Sequence, residues 1–289
     1  MANGTAYEED HAPSLTRRRN DRRVEDVAVD ESPVPQTSRY TTTLDISSPD
    51  EDKCNSFNYS FADNAIRLIV PNKDTTVSKL MNGAEEDAYT LSSEEAFQYT
   101  KLYLNKDKKP ELVLVVTKRA DTSKETYLEL QNGKWTVCDN HEKKMKTLKV
   151  ITEWKSDFEL DLASTSSTNE CSIFQVDLLG ITTRHFYPKA GYLAVKVNDG
   201  TRSIWEPTKP GSRYGSEEDF DGYDYCLSCL IHNKGDKELL EMIVVERLSR
   251  RWKYFEKSGE EWMEINKTDF DQKLRDLKME QSTTPESKY

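Results

Sequence analysis

Hydrophobic and polar positions alternate with a period of two along much of the chain. Leu193, Val195 and Val197 fall on one side of an extended segment and Tyr192, Ala194 and Lys196 on the other, and Thr126, Leu128 and Leu130 alternate likewise. Successive side chains of a strand point to opposite faces, so the pattern predicts half-buried strands. Leu112 to Val116 and Met242 to Val245 are unbroken apolar runs, which fit strands covered on both faces. Asn82-Gly83 and Asp199-Gly200 sit between apolar segments, and both dipeptides favour the positive φ values of a type I′ hairpin turn. The period changes only near the C-terminus. There Phe270, Leu274 and Leu277 recur at spacings of four and three, and Thr268 is placed to cap a helix from Asp269 to Met279.

The strand pattern occurs twice. Cys54, Phe57, Arg67, Pro71, Lys79 and Gly83 recur as Cys171, Phe174, Arg184, Pro188, Lys196 and Gly200, each 117 residues on. Asn105, Lys106, Lys109, Leu112, Val116 and Arg119 match Asn233, Lys234, Lys237, Leu240, Val244 and Arg247 at an offset of 128. Tyr127, Glu129 and Trp135 match Tyr254, Glu256 and Trp262 at 127. An insertion around Pro210 to Gly222, rich in Gly, Ser, Asp and Glu, absorbs the growth in offset and reads as a surface loop. Self-similarity at this period implies a duplicated module.

The fold class expected is therefore all-β, with two tandem antiparallel-sheet modules, each a sandwich or an open barrel, plus a C-terminal helix. The first module spans 41–142 and the second, with its closing helix, 158–280, joined by a Lys-rich linker over 143–157. Residues 1–40 and 281–289 are polar and unpatterned and read as disordered tails.

Composition narrows the function classes. With 289 residues, 35% hydrophobic and 32% charged, the chain has room for two cores that share it with solvated segments. No apolar run approaches the ~18 residues that a membrane-spanning helix needs. The formal net charge of −11 is spread over both modules: residues 41–142 hold 12 basic and 18 acidic groups, and 158–267 hold 14 and 19. Phosphate backbones are bound by concentrated Lys and Arg, so this balance argues against nucleic-acid binding by the modules. An arginine cluster, Arg17, Arg18, Arg19, Arg22 and Arg23, resembles a nuclear-localisation patch, but Asp21, Glu25 and Asp26 dilute its field. The first forty residues carry no apolar h-region, so export is expected only where a leader has been trimmed.

Candidate chemistry is sparse. Cys226-Leu-Ser-Cys229 with His232 nearby suggests metal or redox work, yet zinc needs three or four converging ligands and residues three apart on a regular strand point to opposite faces. With five cysteines, an odd number, core thiols are the favoured reading; pairings such as Cys54 with Cys138, or Cys171 with another, stay open. The acidic stretch Glu217 to Asp224 lacks the ligand order of an EF-hand. His11, His141, His185 and His232 are scattered, with no hydrolase or phosphate-loop spacing around them. Trp135 and Trp262, repeated with the fold, read as core, and Trp205 or Trp262 would serve the alternative of a small-molecule or carbohydrate-binding module. Asn58-Tyr59-Ser60 and Asn266-Lys267-Thr268 are glycosylation sequons only in the secretory pathway. No catalytic, cofactor-binding or metal-ligating residue is assigned.

The run from Gly180 through Thr182-Thr183-Arg184-His185-Phe186-Tyr187-Pro188 to Tyr192 is the most distinctive segment. With Cys171 to Phe174, Lys196-Val197, Asp199-Gly200, Trp205, Tyr254-Phe255 and Trp262, it resembles the FAINT domain, the domain frequently associated in Theileria. The second module carries the match nearly throughout; the first carries it more weakly, its Thr-Thr-Arg equivalent reading Ala65-Ile66-Arg67. The resemblance implies a piroplasmid parasite protein of tandem modules, directed toward the infected host cell, its surface or its nucleus, without enzyme activity. A host protein is the expected partner, and a nuclear regulatory factor imported through the arginine cluster is the alternative.

Overall fold

The structure, a computed structural model, describes residues 41–83, 86–120, 122–207 and 224–279. The first half begins with β1 (Thr41–Asp45), β2 (Cys54–Phe61), β3 (Asn64–Pro71), β4 (Thr76–Met81) and β5 (Asp87–Thr90). It continues with β6 (Ala96–Leu104), β7 (Pro110–Arg119), β8 (Thr122–Gln131), β9 (Lys134–Val137) and a short helix α1 (His141–Thr147). The second half opens with β10 (Ser156–Asp161), β11 (Cys171–Leu178), β12 (Ile181–Pro188), β13 (Tyr192–Asp199) and β14 (Arg202–Trp205). It closes with β15 (Tyr225–Lys234), β16 (Lys237–Glu246), β17 (Ser249–Ser258), β18 (Glu261–Ile265) and α2 (Lys267–Met279). The fold is β-rich with a C-terminal helix, as the period-two pattern predicts.

In the first half a three-stranded sheet, β1-β4-β5, accompanies a six-stranded one, β2-β3-β6-β7-β8-β9. Leu44, Val77 and Leu80 from the small sheet meet Ile69, Leu102, Val113 and Val115 from the large one, so this half is a sandwich. Each fully buried aliphatic side chain there contributes about 1.5–3 kcal/mol. In the second half the same pairs form, and the bridge Ala194↔Cys226 joins β13 to β15, making one continuous sheet of nine strands. Each half holds one exception to antiparallel pairing: β1·β4 and β10·β13 are parallel. The chain makes the β2–β3 or β11–β12 hairpin between those partners and so returns in the same direction.

The repetition extends to register and to defects. Cys54 pairs with Pro71 and Cys171 with Pro188. β6 skips Gln98 opposite β7, and β15 skips Leu227 opposite β16; both are bulges at the same place. Ser78 and Val195 are likewise skipped in the two parallel ladders. Asp45 Oδ1 accepts from the Gly83 amide at 3.0 Å, and Asp161 Oδ1 from the Gly200 amide at 2.9 Å.

Four sequence expectations need correction. The bulge at Val195 shifts the phase of β13, so Ala194 and Val197 are buried while Leu193 and Val195 are only half-buried. The offset of 128 averages two registers: β6 and β15 align at 129, and β7 and β16 at 127, because the first hairpin loop is longer. At the hairpin turns Gly83 and Gly200 take positive φ, but Asn82 and Asp199 do not, so neither is a type I′ turn. Finally, α2 begins at Lys267, and Asn266 rather than Thr268 caps it, its Oδ1 accepting from the Asp269 amide at 2.9 Å. The stretch 143–157 contains most of α1, and β10 starts within it. The tails, the arginine cluster, His11, Pro210 to Gly222 and Glu217 to Tyr223 lie outside the described residues.

Candidate functional site

The two halves belong to one compact unit, and the seam between them is built from equivalent residues. Phe57 of β2 and Phe174 of β11, counterparts in the repeat, stack at 4.5 Å. Tyr59 of β2 stacks on Tyr187 of β12 at 4.0 Å, and their counterparts Val176 and Val70 lie in the same buried cluster. A position stacking on its own counterpart is the contact pattern of an isologous dimer, here within one chain. Burial pushes the phenols of Tyr59 and Tyr187 well up and the imidazole of His185 down to about 3.

Such a seam leaves two related clefts, one at each end. One, of about 630 Å³, is lined by Lys73 and Phe97 from the first half and Asp177 and Lys234 from the second. The other, of about 470 Å³, is lined by Ala62, Asp63 and Asn105 from the first half and by Lys189, Tyr225 and Leu227 from the second. The single connection between the halves crosses only this second cleft and adds Lys149, Val150 and Trp154 to it. The crossing is pinned at both ends: the Val150 amide donates to Asp63 O at 2.8 Å and the Lys155 amide to Gly191 O at 2.7 Å. Gly191, at φ +89°, is required there, since a Cβ would lie 2.6 Å from Glu153 O.

Charge and apolar surface meet in this cleft. Among the described residues, Lys106, Lys108, Lys149, Lys189 and Arg250 line it against one carboxylate, Asp63, which Lys149 pairs at 3.1 Å. Arg250 lies over the Phe61 ring at 5.8 Å. Tyr225 between them is raised by burial and by the Asp63 carboxylate, and lowered in part by the Arg250 guanidinium, so both charges reach one phenol from opposite halves. Val150 and Trp154 are 44% and 47% exposed.

Of the candidate chemistry singled out in the sequence, Cys226 lines this cleft, and the other cysteines, the histidines and the tryptophans Trp135, Trp205 and Trp262 do not. The β15 bulge puts Cys226 and Cys229 on the same face, contrary to the regular-strand expectation, with their sulfurs 3.6 Å apart in the core of the second half. All five cysteines are free and buried, and burial pushes the Cys171 thiol up to about 12. His232 points to the other face, 3.3 Å from Thr183 Oγ1 and edge-on to Phe270, so it does not join the thiols. Among the described residues no three His, Cys, Asp or Glu side chains are grouped to hold a metal. His141 stacks on Tyr127 at 3.8 Å. Asp224, the described end of the acidic stretch, is buried and accepts from the Arg247 amide. Trp205 is buried and donates to Glu246 at 2.9 Å, and Trp262 packs on the core and donates to Asp199, so neither indole faces a groove. Trp135 also packs on the first core, though its indole N–H has no hydrogen-bond partner among the described residues. The Asn58 amide oxygen accepts from Arg67, and that of Asn266 serves the helix cap.

Trp154 and Arg250 were not foreseen. The available signal was Val150, Ile151 and Trp154, three apolar residues in a segment read as a Lys-rich linker. Among the described residues no helix is long and apolar enough to cross a membrane. Comparisons with protein-family models, curated proteins and solved structures find no match to this chain.

Proposed function

We propose that this chain is a non-enzymatic interaction protein whose two β modules hold a docking cleft at their seam, and that it is a parasite protein directed at a host protein. The cleft carries the first part of this reading: exposed cations and a half-exposed tryptophan converge on a concave surface contributed by both halves. Clustered, strongly shifted titratable groups mark many catalytic sites. Here several of the strongly shifted groups, among them Cys171, Cys229, His185 and Tyr187, lie in packed interiors and do not line the cleft, which supports binding rather than chemistry. The second part rests on the sequence resemblance to FAINT domains in the segment from Gly180 to Tyr192. Residence outside the parasite, in the host cytoplasm or nucleus, is the corresponding proposal.

Affinity capture from host-cell lysate with the full chain tests the reading. A host protein enriched by the native chain and lost with Trp154→Ala/Arg250→Glu supports it. Equal capture by both chains removes the cleft from the account, and antibody signal confined to the parasite interior removes the host-directed part.

A further inference from the structure

We infer that the seam cleft takes an acidic peptide segment bearing an apolar side chain; this rests on the reading of that cleft as the docking site. The chain as a whole has a formal net charge of −11, yet among the described residues this cleft presents five cations and one carboxylate. Asp63 is already occupied by Lys149, and Lys189 donates to Thr168 O at 2.5 Å. Lys106, Lys108 and Arg250 make no ion pair among the described residues, and all three are exposed. They are the groups left to receive carboxylates from outside.

The local sequence explains why these cations pair with no carboxylate among the described residues. Lys106 and Lys108 sit in the β6–β7 hairpin, where Asn105 Oδ1 accepts from the amides of Asp107 and Lys109 and Lys108 takes φ +60°. That loop is longer than its counterpart in the second half, where the matching Lys234 is half-buried and donates to Leu277 O instead of standing exposed. Arg250 is the second residue of β17, where its guanidinium lies over the Phe61 ring and, among the described residues, against no carboxylate.

The apolar part of the ligand follows from the connection. Val150 is held by its own amide bond to Asp63 O, and Trp154 lies next to the Lys155 amide bond and donates its indole N–H to Asp157 Oδ1 at 2.9 Å; both remain half-exposed, and Ile151 between them is 92% exposed. Apolar surface framed by like charges suits a partner with an apolar anchor flanked by carboxylates. The related cleft at the other end of the seam lacks both features: the connection does not cross it, and Lys73 there is paired with Asp177 at 3.2 Å.

Fluorescence anisotropy on the full chain tests this, with a labelled peptide of Asp and Glu flanking one Leu-Trp pair as probe and its Asn/Gln counterpart as control. Expected are binding at least tenfold tighter for the acidic peptide, affinity that falls with added salt, a tenfold or larger loss with Lys106→Glu/Lys108→Glu, and about fivefold with Trp154→Ala. Lys118→Glu/Lys134→Glu, exposed and away from the cleft, changes net charge equally and is expected to leave binding unchanged. Thermal melts of each variant confirm folding.

Equal affinity for the two peptides, or equal loss with the Lys118/Lys134 pair, overturns the inference. So does competition by inorganic phosphate at concentrations that sodium chloride of equal ionic strength does not match, because the site is then a phosphate site. If the acidic peptide fails to bind while Trp154→Ala still abolishes capture from lysate, the docking reading stands and the acidic ligand does not.

Discussion

At the scale of the residue, the seam is the most demanding place in the molecule. Phe57 and Phe174 stack as counterparts, and an aromatic pair adds about 0.5–1.5 kcal/mol beyond the area it buries. Phe57→Ala and Phe174→Ala are each expected to cost about 2–4 kcal/mol in urea unfolding, with a double-mutant coupling near 1 kcal/mol. Additive effects would mean that the rings do not depend on each other. Gly191→Ala is expected to cost about 1–3 kcal/mol and to alter Trp154 emission, because the new Cβ meets the connection's backbone as well as an unfavourable φ. The sequence marked Phe57 and Phe174 as repeated positions, but not as partners. Repetition reveals equivalence within each half, whereas contact across a seam depends on how two finished sheets dock, which no local period records.

At the scale of the element, the strands and turns were legible because period two and glycine placement are local signals. The runs Leu112 to Val116 and Met242 to Val245 are buried on both faces, as their unbroken apolarity implied. The bulges were not legible. One skipped residue inverts the side-chain phase downstream, so Ala194 and Val197 are inward and Cys226 and Cys229 share a face. The helix was foreseen from Phe270, Leu274 and Leu277, while its cap was displaced to Asn266, whose side chain reaches the Asp269 amide. Asn266→Ala is expected to cost about 1 kcal/mol, whereas Thr268→Ala leaves stability nearly unchanged; thermal melts of the two variants decide which residue caps.

At the scale of the whole molecule, two modules with one shared interior are expected to unfold together. The buried cluster at the seam draws side chains from both, so a single cooperative transition is predicted. Its pH dependence follows from His185 and His232, pushed down to about 3 and about 4 by burial. Unfolded, each takes a proton near pH 6.5, so the unfolded chain binds more protons and stability falls as pH drops from about 6.5 toward 4. Glu241, raised by burial, acts in the opposite sense, since its buried carboxylate is relieved as pH falls. His185→Phe is expected to flatten the slope between pH 4.5 and 6.5 by about 1.4 kcal/mol per pH unit; an unchanged slope would contradict a neutral, buried His185.

The cleft itself was hidden from the sequence because it arises from the docking of two halves and the route of one connection. Its role as a docking site is open to one direct measurement, a photocrosslinking residue placed at Ile151, 92% exposed beside the cleft, and used in host lysate. The account predicts a discrete crosslinked species at this position, absent when the same probe replaces Met263, 53% exposed on β18. No crosslink at Ile151, or the same products from both positions, would contradict it.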